Sequence, residues 1–184
     1  MTSLNLRSKV IASLAIASQF VLGVTTPVKA NEVNQHEYLI KAIRDVGVNV
    51  VINHPDDCGK GINGLYDSLK GYISICQDNA KVSLSEVAWT ANDYDTLRHE
   101  AQHLVQDCTD NALGNGQLYP MFSDSQARAN FVLNSIGRSG ISYVLELYKD
   151  DPSVIDLELE AFAVANTVSA RSIADKVTSY CANN

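Results

Sequence analysis

The chain has 184 residues, 46% of them hydrophobic and 19% charged, with 14 basic and 21 acidic side chains and a net charge of −7. The first 30 residues hold three basic and no acidic residues, so residues 31–184 carry a net charge of −10. That surplus argues against nucleic acid and anionic membrane surfaces as partners.

Residues 1–30 begin with Arg7 and Lys9 and continue with an uncharged apolar run over residues 10–24. They end in Val28-Lys29-Ala30, with small residues at the two positions a signal peptidase reads. The segment is expected to be a cleaved secretory signal, and the run is shorter than the ~20 residues of a membrane span. The expected product is a secreted or periplasmic protein with no stable membrane anchor after cleavage, residues 31–184 forming one domain.

In the mature part, Tyr38, Leu39, Ala42 and Ile43 repeat at helical spacing up to Gly47. "VNVVIN" (48–53) reads as a short strand and "HPDDCGKGING" (54–64) as loop. Tyr72–Cys76 alternates and reads as a strand, with Lys70-Gly71 as the turn of a hairpin with Leu65–Tyr66. From Ser85 to Thr109 the period becomes helical, with Asp93 or Asp95 as the expected N-cap. Two helices broken at Gly140 follow, then one long helix capped by Asp151 with Pro152 at its first position. Strands segregated from helices give an α+β fold, a small sheet followed by a helical C-terminal half.

Four cysteines at least 18 residues apart suit two disulfides in an exported domain better than a four-cysteine zinc site. Three pairings are open. Cys58–Cys76 and Cys108–Cys181 are expected, the first tying segments before the 85–109 helix, the second tying that helix to the C-terminus.

His99-Glu100-Ala101-Gln102-His103 is an HExxH motif. On a helix, i and i+4 lie one above the other about 6 Å apart, so two imidazoles can share one Zn²⁺. Glu100 is turned about 100° from His99 and is placed instead to take a proton from metal-bound water. Catalytic zinc takes a third protein ligand. Asp107 lies about 12 Å from His99 along the helix, too far to share an ion, and Glu146 reads as a solvated acid. Glu158 shares a stripe of small residues with Ala161, Ala165, Ser169 and Ser172, where a buried carboxylate needs a partner. Glu160 shares its stripe with Ser153, Asp156, Thr167 and Arg171, which reads as a solvent face. Glu158 is therefore the expected ligand and Glu160 the alternative. His54 reads as a solvated loop histidine and Trp89 as core. Tyr66, Tyr72, Tyr119, Tyr143 and Tyr180 include candidates for stabilising an oxyanion.

"HEAQH" together with "ELEAFAVA", 55 positions beyond His103, resembles the zincin metallopeptidases of the Glu-zincin type. The likeness covers residues 64–166 loosely and is specific at the two motifs. It implies a Glu third ligand on a later helix within an ExEAxxxA-like run, matched here by Glu158, Glu160, Ala161 and Ala165. Phe162 stands where many members carry Asp or Asn to orient a histidine ligand, so another residue would have to do so. The resemblance also implies a small sheet over the motif helix, with "GYISIC" as its edge strand, to which an extended peptide adds by backbone pairing. The expectation is a zinc-dependent metallopeptidase acting on peptides or proteins: His99, His103 and Glu158 hold the metal and Glu100 is the base. The alternative is a non-catalytic, disulfide-stabilised exported domain with a structural metal site or a peptide-binding role.

Overall fold

The computed structural model describes residues 11–14, 30–59, 61–77 and 86–182, of which 11–14 and 30 are described by their backbone alone. Among the described residues the fold is α+β: a small sheet, five helices and a helical C-terminal half. In chain order the elements are β1 (Ile11–Leu14), α1 (Ala30–Asp45), β2 (Asn49–Ile52), β3 (Ile62–Asp67), β4 (Tyr72–Ile75), α2 (Ala91–Asp107), α3 (Ser125–Leu147), α4 (Ile155–Thr167) and α5 (Ala170–Cys181). A short 3-10 turn, Cys108–Asp110, extends α2.

α1 buries Leu39, Ala42 and Ile43 and stops where Gly47 takes φ 87°, a conformation that costs glycine nothing. β3 and β4 form the expected antiparallel hairpin, but the strand opens at Ile62 rather than after Gly64. β2 pairs parallel to β4, Asn49 opposite Tyr72 and Ile52 opposite Ile75. The strand order β1-β3-β4-β2 therefore puts β4 in the interior. The expectation that "GYISIC" forms the edge fails, because β2 returns to cover it. Residues 11–14, within the apolar run of residues 10–24, lie antiparallel along the outer side of β3, Ser13 opposite Gly64. The rest of the segment expected to be a signal, Ala30 apart, lies outside the described residues.

α2 runs through the middle of the domain and touches β3, β4, α4 and α5. Leu97, Ala101, Leu104 and Val105 are fully buried on it and join Tyr66, Ile73, Ile75, Ile173 and Val177 in the main core. A smaller cluster, Val144, Tyr148, Val154, Leu157 and Phe162, seals α3 against α4. Trp89 packs half-buried against the main core and donates to Glu86 at 3.0 Å.

Four boundaries differ from expectation. The N-cap of α2 is Thr90, not Asp93 or Asp95. Its hydroxyl accepts from Asp93 N at 3.2 Å while the Asp93 carboxylate accepts from Thr90 N at 2.7 Å, a capping box. α3 bends at Gly137 (φ 64°) rather than Gly140, since the left-handed turn is taken three residues earlier. The expected long C-terminal helix is two. Val168 is extended, and Ser169 accepts from Ser172 N to start α5. Asp151 does not cap α4: it accepts from Ser153 in a local turn, and α4 begins at Ile155.

The disulfides are Cys58–Cys76 and Cys108–Cys181, and no cysteine is free. Two such links fit a non-cytoplasmic setting. No helix among the described residues is long and apolar enough to cross a membrane.

Candidate metal centre

His99, Glu100 and His103 sit mid-way along α2, where the helix is covered by the sheet on one side and α4 on the other. Arg98, just before them, locks that position. Its Nε donates to the carbonyl of Ala165 at the end of α4 at 3.0 Å, and its Nη1 lies 3.0 Å from His36 Nε2 on α1. His36 Nδ1 lies 2.7 Å from the Glu32 carbonyl, so this imidazole is neutral, donating through Nδ1 and accepting from Arg98. Arg98 also pairs with Asp95.

α4 brings Glu158 against both motif histidines. His99 Nε2 lies 3.2 Å from Glu158 Oε2, His103 Nε2 lies 3.5 Å from Oε1, and the two Nε2 atoms are 3.1 Å apart. Among the described residues this is the group of histidine, cysteine and acidic side chains whose donor atoms converge closely enough to hold a metal ion. His99 is 2% exposed; His103, Glu158 and Glu100 are 0% exposed.

Two observations test whether a metal fits. Arms of about 2.0–2.1 Å to a tetrahedral ion put neighbouring ligand atoms roughly 3.3 Å apart, and the three separations scatter around that edge. Both Glu158 oxygens are buried without a hydrogen-bond donor in proper geometry. A buried carboxylate without well-formed hydrogen bonds is costly, and a cation at the centre of the cluster would satisfy it. The three residues fit a metal ion; the ion's identity is not given by this geometry.

The charges agree. Burial alone would press the His103 imidazole down, but the Glu158 carboxylate facing it overrides burial and carries it up to about 9. Burial would push Glu158 up, and the two histidines instead bring it down to about 2. His99 is lowered, by burial first and then by its cationic neighbour His103. Without metal the cluster thus holds one proton beyond those of two neutral imidazoles, on His103, against one carboxylate. A divalent cation entering would displace that proton.

Glu100 lies beside the cluster, where the sheet meets α2, and its charge also acts on His103. A Cβ built on Gly64 of β3 would lie 3.0 Å from Glu100 Oε1 and 2.4 Å from the Thr96 methyl carbon. Strand and helix therefore meet at the one residue without a side chain. The ring of Phe162 stands edge-on to His99, centroids 4.6 Å apart, and His99 Nδ1 has no hydrogen-bond partner. At the place where the resemblance suggests an orienting acid, an aromatic ring holds His99 by packing.

Glu160 is neither ligand nor solvated. It is fully buried, contrary to the stripe argument. Its Oε1 accepts from Gln102 Nε2 at 2.9 Å, Gln106 Nε2 at 3.1 Å and Met121 N at 3.1 Å, and its Oε2 from Phe122 N at 3.4 Å. Gln102 and Gln106 were not singled out by sequence. The available signal was spacing: Gln106 follows His103 by three residues, and such pairs are neighbours on a helix. Gln106 Oε1 lies 2.7 Å from His103 Nδ1.

The other candidates stand elsewhere. Asp107 accepts from the Tyr66 hydroxyl at 2.7 Å and from Gly114 N at 2.9 Å, a structural pairing. Glu146 is exposed and paired with Lys149. His54 is paired with Asp57 at 3.3 Å. Tyr119, Tyr143 and Tyr180 are exposed.

Fold and site together define an α+β domain built around a buried cluster of two histidines and a glutamate that can hold a metal. Residues 26–182 match the family described as a domain of unknown function, DUF8637, and the chain belongs to that family. No curated protein and no solved structure matches it.

Proposed function

We propose that this chain is an exported zinc-dependent metallopeptidase of zincin-like design. The observation that carries the reading is the convergence of His99, His103 and Glu158 at tetrahedral spacing, with Glu100 on the same helix beside them. Three protein donors leave the fourth position of a tetrahedral ion for water or substrate, the arrangement of catalytic rather than structural zinc. Two imidazoles and a carboxylate suit zinc among the divalent ions. When bound, zinc supplies Lewis acidity, polarising a carbonyl and acidifying water.

The chain's residues do the rest. Glu100, excluded from the ligand set by its angle on the helix, takes the proton of the attacking water and returns it to the leaving amine. β3 supplies the place for an extended chain. Its outer edge already accepts the main chain of residues 11–14, antiparallel, with Ser13 opposite Gly64 and hence next to Glu100. A peptide added there by strand pairing would run past the base; this supports peptides as the substrate class.

One observation favours a second reading. All four central side chains are buried, as in a metal site that only holds helices together. Glu100→Gln separates the two. Zinc content by mass spectrometry should stay near one per chain while hydrolysis of a mixed peptide substrate falls by at least about a hundredfold, the scale of a lost general base. Equal hydrolysis by the variant removes Glu100 from the mechanism. Zinc without hydrolysis in the unaltered chain leaves the structural site.

A further inference from the structure

Gln106 and Glu160 have no place among the ligands or the base, yet they are fully buried beside His103. The direction of each hydrogen bond between them follows from donor and acceptor chemistry. Glu160 is surrounded by N–H groups: the amides of Gln102 and Gln106 and the backbones of Met121 and Phe122. It accepts from all of them. The Gln106 amide lies between two groups that only accept, Glu160 Oε1 and the Leu157 carbonyl, each 3.1 Å from Nε2. Turning the amide over would set its oxygen against both, so the nitrogen must face them. The amide oxygen then faces His103 Nδ1 at 2.7 Å. An amide oxygen cannot donate, so Nδ1 must carry a proton. The nitrogen left for ligation is Nε2, the atom that faces His99 and Glu158.

We propose that Gln106 and Glu160 are positioning residues for the metal centre: the Glu160 carboxylate fixes the Gln106 amide, and the amide fixes the Nδ1–H form of His103. This rests on the reading of His99, His103 and Glu158 as ligands. Partners that set the tautomer and ring orientation of a ligating histidine typically cost 10- to 100-fold in metal affinity when removed. The relay gives the two glutamates of "ELEAF" different tasks, Glu158 toward the metal and Glu160 two bonds behind it. It also supplies from α2 itself the orienting group for one histidine, while Phe162 packs against the other.

The test combines zinc affinity, measured against a competing chelator, with nitrogen-15 NMR of the histidine rings. The unaltered chain should show a slowly exchanging Nδ1–H on His103, with or without zinc. Gln106→Leu should lose that signal and bind zinc about 10- to 100-fold more weakly. Glu160→Gln, which frees the Gln106 amide to turn, should weaken binding in the same direction but less. Gln106→Met, close in volume but without the amide, separates hydrogen bonding from packing: it should lose the protected Nδ1–H and weaken zinc binding as Gln106→Leu does. If both Gln106 variants fail to fold, Glu160→Gln decides the matter by the same two readouts. Unchanged affinity in Glu160→Gln and in the Gln106 variants, or a wild-type His103 lacking the protected Nδ1–H, overturns the relay. Absence of zinc binding in the unaltered chain overturns the ligand reading instead; the Nδ1–H signal, read above pH 9 where the His103 imidazole is neutral, then still decides the relay.

Discussion

Gly64 is where the sheet comes closest to the motif helix. A methyl group there would lie 2.4 Å from the Thr96 side chain, 3.0 Å from Glu100 and 3.1 Å from the Ser74 carbonyl. Thr96 cannot easily yield, because its hydroxyl donates to the Asn92 carbonyl at 2.9 Å. Gly64→Ala should therefore push β3 off α2 at a cost of about 1–3 kcal/mol, as for overpacked cores. A urea denaturation midpoint that does not move would show that the strand can shift freely. Sequence reached His99 and His103 through spacing alone. It reached Glu158 by a stripe of small residues, and the structure places Glu158 where that stripe meets α2. The same rule misplaced Glu160. Stripe arguments assume a helix with one wet face, and α4 is buried around most of its girth, with Leu157, Glu158 and every residue from Glu160 to Ala165 inside. On such a helix, periodicity carries little information about direction. The glutamines were invisible for a different reason: a neutral amide has no chemistry of its own until its neighbours are known.

The helix carrying the motif is held at its start by a reciprocal cap. Thr90 satisfies the Asp93 N–H and Asp93 satisfies the Thr90 N–H, two donors that the first turn would otherwise leave open. By composition an aspartate is the expected N-cap, and the threonine three residues before Asp93 gives a weak signal because its partner here is Asp rather than the usual Glu or Gln. Thr90→Ala should lower stability by about 1 kcal/mol and Thr90→Ser by much less, since serine keeps the acceptor. Thermal melts of the two variants beside the unaltered chain measure this; equal losses would assign the effect to the methyl group instead. Elements fixed by local pattern were legible: α1, β2, the β3–β4 hairpin and α2. Those fixed by distant pairing were not. Nothing within residues 72–76 reveals that β2 pairs with them in parallel and makes them central. The break between α4 and α5 needed one extended residue, Val168, and a capping serine, which residue-by-residue helical spacing passes over.

At the scale of the molecule, the two disulfides tie the frame around the centre. Cys58–Cys76 closes the loop after β2 onto the end of β4, and Cys108–Cys181 joins the end of the motif helix to the last turn of α5. Their pairing was expected from the order of elements, since each joins segments that the fold must bring together. Held in this frame, the His103–Glu158 pair would couple a bound metal to the stability of the whole chain. In the metal-free protein His103 titrates at about 9, against 6.5 for an ordinary histidine. Its contribution is therefore complete below pH 6.5 and is lost as pH rises to about 9, because between those values the folded state binds more protons than the unfolded. Glu158, lowered to about 2, contributes above its ordinary 4.5 and is lost as pH falls toward 2. His36 and His99, both lowered chiefly by burial, contribute above pH 6.5 and are lost as pH falls through it. Metal in the cluster replaces the His103 proton, so the alkaline loss should vanish in the loaded protein. The difference in unfolding free energy between zinc-loaded and metal-free chain should thus widen from pH 6.5 to 9, by at most about 1.4 kcal/mol per pH unit. Urea denaturation of both forms across that range measures it. A gap that stays constant with pH would mean that zinc binding displaces no proton from His103, and would move the metal away from this cluster.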